Sequence, residues 1–179
     1  MPLTVLSVSY SLAHVSRRTA GGAEQVLATL DEALVRAGHR SLVLAPAGSR
    51  CHGLLIPAQI PTGILDDRAK LEARRVFKKL LDRALEDYAV DIVHMHGLDF
   101  YDYLPDRELP IVVSLHLPLS WYLPKGLRQV RSDVTLACVS ESQARTAPAD
   151  VRIDAVVPNG VDLARFYPRR RKSSYAFAM

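Results

Sequence analysis

The sequence predicts an α/β fold: a doubly wound, mostly parallel sheet with helices on both faces. Three observations predict it. Strand-like and helix-like segments alternate along the 179 residues. Three of the strand-like segments, residues 90–95, 111–115 and 134–139, are rich in β-branched residues and almost continuously apolar. Strands of that kind are buried on both faces of a parallel sheet. The order β-α-β-β-α-β-β-α-β-α-β is the one that crossover-connected parallel strands produce.

The elements follow in order. Residues 3–9 form a short first strand, and residues 10–20 a polar loop ending at Gly21-Gly22. Downstream, Ala23, Val26, Leu27, Leu30, Leu34 and Ala37 recur at helical spacing until Gly38 ends the run. Residues 41–45, closed by Pro46, and residues 53–58, near Pro57 and Pro61, read as two more strands. A long amphipathic helix then runs from about Asp67 to Tyr88, with Asp66 or Asp67 as N-cap. Its apolar stripe is Ala73, Phe77, Leu80, Leu81, Ala84, Leu85 and Tyr88, opposite a face of Arg, Lys and Glu. Residues 126–131 and 141–147 are expected as short helices on either side of the strand at 134–139. A last strand at 153–157 stops at Pro158.

Composition narrows the function classes. A hydrophobic share of 49% is ordinary for a globular chain. No apolar run is long enough to span a membrane, and no basic segment with an apolar core opens the sequence. Cys51 and Cys138 are far apart and form no CxxC, which fits a reducing cytoplasmic setting. Of 23 basic residues, four are the run Arg169-Arg170-Arg171-Lys172; setting these aside leaves 19 against 19 acidic residues. The body of the chain is therefore neutral, and no basic face with interleaved aromatics points to nucleic acid.

In open α/β sheets ligands sit beyond the carboxyl ends of the strands. The polar residues there are Tyr10, Ser11 and Gly21-Gly22, then His94, His96 and Gly97, then Ser114 and His116, then Ser140, Glu141 and Ser142, and finally Asn159-Gly160. A Gly pair at a strand-to-helix junction can expose backbone N–H groups to a phosphate. It can equally serve only as a turn that lets the helix pack closely. His94 and His96 lie two apart, so both rings point to one side of a strand, with His94 partly buried and His96 facing the crevice. With His116 they are a weak metal candidate that lacks a clear ligand set. Ser114 and Ser140 have no G-x-S-x-G around them, and Ser140 reads as a helix N-cap. No G-x-G-x-x-G lies between Tyr10 and Gly22, and the loop is too long for the tight dinucleotide turn, so a nicotinamide-dependent dehydrogenase is a weak alternative. In the loop at residues 117–124, Trp121 and Tyr122 read either as sugar contacts or as core anchors.

Taken together, the ordered motifs resemble the N-terminal, Rossmann-like half of family 4 glycosyltransferases of GT-B architecture. They are Gly21-Gly22-Ala23-Glu24 with the helix ending Arg36-Ala37-Gly38-His39, Asp91 to Gly97, Val113-Ser114-Leu115-His116, Val139-Ser140-Glu141-Ser142, and Val157 to Asp162 with Arg165, Phe166 and Pro168. The resemblance implies sugar transfer from a nucleotide-sugar donor to a sugar, lipid or glycan acceptor, with retention at the anomeric carbon and no bound metal or other cofactor. It implies Gly21 and Gly22 at the donor diphosphate and His116 as the active-site histidine beside the transferred sugar. His96, Glu24, Ser140 and Asn159 then line the acceptor side of the cleft. Residues 1–165 are expected as this acceptor-side domain. Residues 166–179 are expected as a basic linker and the cut-off first strand of a C-terminal nucleotide-sugar-binding domain. On that expectation the chain is a fragment, inactive by itself, with an exposed cleft surface through which it can dimerise. The full-length protein would be cytoplasmic or peripheral at the inner face of a membrane. The competing expectation is a stand-alone module that binds a phosphorylated or sugar ligand in the same crevice.

Overall fold

In the computed structural model, residues 1–61, 63, 65–128, 131–161 and 163 are described. Seven parallel strands form one sheet: β1 (Thr4–Val8), β2 (Arg40–Pro46), β3 (Leu54–Ala58), β4 (Ile92–Met95), β5 (Ile111–Leu115), β6 (Val134–Cys138) and β7 (Ala155–Val156). Their order is β3-β2-β1-β4-β5-β6-β7, so the winding reverses between β1 and β4. There Val5 pairs with both Ser41 of β2 and Ile92 of β4. Adjacent crossovers leave this point in opposite directions, which opens a crevice above the β1 and β4 carboxyl ends.

The period-two alternation of the strands sorts their side chains into two unlike faces. On one face Leu6, Val8, Leu42, Leu44, Val93, Met95, Val113, Leu115 and Leu136 join the main core. Helix α2 (Asp67–Asp87) lays Phe77, Leu81 and Leu85 onto it, each burial worth roughly 1.5–3 kcal/mol. Asp66 caps α2 by accepting from the Ala69 N–H at 2.8 Å. The short helices α3 (Pro124–Leu127) and α4 (Glu141–Ala144) add Leu127 and Ala144 to the same core.

The other face carries α1 (Gly22–Arg36), whose Leu27 and Ala28 pack on Val43 and Ala45 of β2 with Val15. Beyond α1 this face is open. Ile92, His94, Val112, Ser114 and Thr135 on β4, β5 and β6 are only half-buried. The expectation that these strands are buried on both faces is therefore corrected. Both faces have helices, but α3 and α4 are four residues long and join the same core as α2, leaving α1 to cover the second face alone.

Two helix boundaries also shift. Pro124 occupies the first turn of α3, where its fixed φ starts a helix, so that helix begins before residue 126. Helix α4 ends at Ala144 instead of residue 147. The basic run and the expected second-domain strand, residues 166–179, lie outside the described residues.

The apolar stripe of α1 turns out to be offset. Its buried residues are Glu24, Leu27, Ala28, Asp31 and Glu32, so three acids lie where hydrophobic periodicity points elsewhere. Asp31, fully buried, accepts from Ser41 Oγ at 2.7 Å, His52 N at 2.6 Å and Gly53 N at 3.1 Å. It fastens α1 to the start of β2 and to the turn before β3. Glu32 pairs with Arg17 and, at 2.5 Å, with Arg36, tying the long β1–α1 loop to the helix.

Candidate functional site

The two lips of the switch-point crevice are bound together by a buried carboxylate. Asp99, 5% exposed, accepts from the Ser11 hydroxyl and, at 2.6 Å, from Tyr103 Oη. Tyr103 Oη also lies 3.2 Å from the Ser9 carbonyl. Burial pushes the Asp99 carboxyl up, against the pull of the Ser11 and Tyr103 hydrogen bonds. Gly97 fits underneath because it has no side chain. A Cβ there would lie 2.5 Å from Tyr103 Oη, 2.7 Å from Asp99 Oδ1 and 3.1 Å from the Tyr10 Cα. This network was missed in the sequence, where Asp99 and Tyr103 sit in an irregular stretch with no periodic signal.

Beside it the sheet presents three histidines. His94 and His96 lie tilted at 37° with ring centroids 4.0 Å apart, and His96 and His116 lie nearly parallel at 5.2 Å. His94 Nε2 is 2.8 Å from Ser114 Oγ, and His96 Nδ1 is 3.0 Å from His116 Nε2. Burial pushes His94 and His116 down to about 4, and drives the fully enclosed His96 well below its ordinary value. All three imidazoles are thus neutral at pH 7. In the His96–His116 pair one ring nitrogen donates and the other accepts. His96 Nε2 and His116 Nδ1 are left buried without a partner. Whichever tautomers form, the pair keeps one unpaired N–H and one unpaired lone pair, both enclosed. His96 is more enclosed than expected, at 3% exposure, and closes the wall of the crevice rather than projecting into it. Among the described residues no group of three or more His, Cys, Asp or Glu is placed to hold a metal.

The open half of the sheet continues this site as a groove of about 670 Å³. Its floor is His94, His96 and Ser114; Val26 and Leu30 of α1 form one wall, and Val157 to Val161 the other. His96 and Asn159, far apart in sequence, meet here. A larger hollow of about 920 Å³ runs along the outer face of α2. Most of its basic residues pair with neighbouring carboxylates, as Lys78 does with Asp82 and Asp106, and at one end Arg74 reaches Asp102 and lies 3.8 Å from Asp99.

The glycine turn occupies the N-terminus of α1. Gly21 is the N-cap, with no side-chain cap, and Gly22 the first helical residue. Neither has a positive φ. A Cβ on Gly22 would meet nothing within 4 Å, and one on Gly21 would meet only the movable Glu24 carboxylate. Close packing onto the sheet therefore does not explain Gly22. Glu24 is buried and folds back over Gly21, so the anion nearest this helix end is the chain's own. Ser140 caps α4, accepting from Gln143 N at 3.1 Å. The aromatic loop divides: Tyr122 is 4% exposed and packs near Phe100, whereas Trp121 is 63% exposed.

This sheet, with its helices, is a Rossmann-like α/β fold of the kind found in GT-B glycosyltransferases. A sucrose-phosphate synthase from Thermosynechococcus elongatus superposes with a TM-score of 0.70 at 16% identity, over 93% of this chain and 50% of that one. A glycosyltransferase from Rickettsia africae ESF-5 gives 0.56 at 17% identity, over 93% of this chain and 47% of that one. A further sucrose-phosphate synthase structure from T. elongatus gives 0.54 at 14% identity, over 90% and 91%. The chain spans about half the length of the first two. No curated protein sequence matches it. The model of Glycosyltransferase Family 4 matches residues 20–165, and the chain belongs to that family.

Proposed function

We propose that the chain is the acceptor-side half of a retaining glycosyltransferase that moves a sugar from a nucleotide-sugar donor to an acceptor. The observation that supports this reading best is Gly22. It leads α1 with ordinary backbone angles, is exposed, and has open space where a side chain would go. A bare backbone N–H at a helix N-terminus suits a phosphate oxygen. In glycosyl transfer the diphosphate leaves with the bonding electron pair, so its charge rises as the sugar–oxygen bond breaks. N–H groups fixed in advance stabilise that charge most in the transition state. Binding there displaces the Glu24 carboxylate from Gly21.

Within this reading His116, held by His96, stands beside the transferred sugar. Being neutral, it acts as a hydrogen-bond partner of a hydroxyl and not as a cation. The groove of His96 and Asn159 takes the acceptor, with Ser140 and Glu24 nearby in the cleft. The nucleotide sugar is substrate, and the resemblance calls for no resident metal. The groups that grip the diphosphate from the far side belong to a second domain, so the 179-residue chain holds half a donor site.

The test is pyrophosphate binding to the 179-residue chain, followed by backbone amide NMR, with Gly22→Ala as the variant. Binding in the millimolar range centred on Gly21 to Glu24 is expected. Gly22→Ala should weaken it severalfold while leaving stability unchanged or about 0.5–1 kcal/mol higher, because Ala favours a helix. Equal binding by the variant refutes the cradle. Efficient sugar transfer by the 179 residues alone refutes the half-site.

A further inference from the structure

A second cavity, of about 320 Å³, lies between the β1–α1 loop and the loop that follows β2. Its lining is one-sided in charge. His14, Arg17, Arg18, Arg50 and His52 face it, and no acidic residue does. Arg17 is neutralised by Glu32. Arg18 and Arg50 have no ion-pair partner among the described residues, and both are exposed. The nearest carboxylates, Asp31 and Glu32, stand behind Arg17 and His52, and neither pairs with Arg18 or Arg50.

The cavity is also preformed. Arg50 N donates to the Val15 carbonyl at 2.8 Å, and Val15 N donates to the buried Ser49 Oγ at 3.0 Å, so the two loops are stitched edge to edge. His14 Nε2 donates to the Ala47 carbonyl at 2.9 Å and crosses the same seam. Gly48, at φ +93°, turns the second loop back so that its backbone stays close to the His14 ring. Behind the wall, Asp31 and Glu32 hold the 52–53 turn and Arg17 in place. Cys51 adds no negative charge, because burial, with the Asp31 carboxylate next, pushes its thiol up to about 11. Lone surface arginines normally remain free to spread into solvent. Here the backbone that bears them is fixed, so binding one anion orders only the two side chains and not the loops as well.

From this geometry we infer that the cavity is an anion subsite, separate from the α1 N-terminus, which binds the phosphate group of a small phosphorylated molecule through Arg18 and Arg50. Phosphate suits the place: guanidinium forks match its oxygens two at a time. The cavity holds a phosphate with room for little more than one attached ring. The inference does not depend on the glycosyl-transfer reading, since it concerns other residues and another ligand contact.

The experiment is amide and arginine side-chain NMR of the 179-residue chain titrated with inorganic phosphate and, separately, with a hexose 6-phosphate. Shifts are expected at Arg18, Gly48 and Arg50 with both probes. The Arg18→Ser/Arg50→Ser double variant should bind about tenfold or more weakly, as loss of charge-assisted hydrogen bonds predicts. Arg75→Ser, on the outer face of α2, should change nothing. Tighter binding of the hexose phosphate assigns the site to a phosphate ester; equal binding assigns it to the free ion. The subsite is overturned if neither probe shifts these residues in the unaltered chain. It is equally overturned if the shifts persist in a folded double variant or fall only at Gly21 and Gly22. Because the pyrophosphate test reads Gly22 and this one reads Arg18 and Arg50, each can fail without the other.

Discussion

Lowering the pH from 7 to 5 should destabilise this domain through its histidines more steeply than its composition suggests. Burial brings His94 and His116 from 6.5 to about 4. Above pH 6.5 both are neutral, folded or unfolded, and the fold bears no penalty. Between pH 6.5 and 4 the unfolded chain takes up protons that the folded one refuses, so stability falls as pH falls. Below 4 the loss levels off. For one such group the loss is about 2 kcal/mol at pH 5 and about 3 kcal/mol when complete. Two groups give about 4 kcal/mol at pH 5, an upper figure because neighbouring imidazoles titrate together. His96, enclosed between them, adds in the same direction. A domain with a typical 5–15 kcal/mol would lose a large part of its stability. Urea unfolding followed by far-UV circular dichroism at pH 7.5, 6.5, 5.5 and 5.0 measures this. Trp121 is exposed and a poor fluorescence reporter. The reference is His94→Asn/His116→Gln, which cannot titrate there and keeps the carboxylate contribution. A wild-type slope no steeper than that of the double variant refutes the reasoning, as do NMR-measured imidazole values near 6.5.

Three substitutions test the scaffold that holds the site. Asp31→Ala strands the Ser41 hydroxyl and two backbone N–H groups, and should cost about 3 kcal/mol in urea unfolding; a cost below 1 kcal/mol would mean the 52–53 turn finds other partners. Gly97→Ala forces a methyl against Tyr103 Oη, Asp99 and the Tyr10 backbone. It should destabilise by about 2 kcal/mol or more and shift the amides of Tyr10 and Ser11, whereas a silent substitution would show that the two lips are not locked. Ser140→Ala removes the α4 cap and should cost about 1 kcal/mol, read as a lower thermal midpoint; no change would place the Gln143 N–H in water.

Much of the fold was legible in the sequence because its signals are local. The stripe from Ala73 to Leu85 is buried as its 3.6-residue period requires, and Asp66 caps the helix that the stripe defines. The β-branched runs became β4, β5 and β6, and the strand-end rule brought His96 and Asn159 to one groove. The acids of α1 were not legible. A helical wheel credits Val26 and Leu30 with the core and has no means of knowing that Asp31 will find three donors from β2 and the 52–53 turn.

What the sequence determined by itself is the set of elements and the chemistry at their ends: parallel strands, a glycine-led helix, histidines after β4 and β5, a serine cap on α4. Periodicity and capping act within a few residues, so they survive without knowledge of the partner. Only the tertiary structure decided how those ends are used. It left one half of a sheet face uncovered, joined Ser11 to Tyr103 through Asp99, drove three imidazoles to neutrality by enclosing them, and brought Arg18 and Arg50 to one cavity with no carboxylate in its lining. Burial, desolvation and the absence of an opposing charge are properties of the space around a residue, and that space is made by residues distant in the chain.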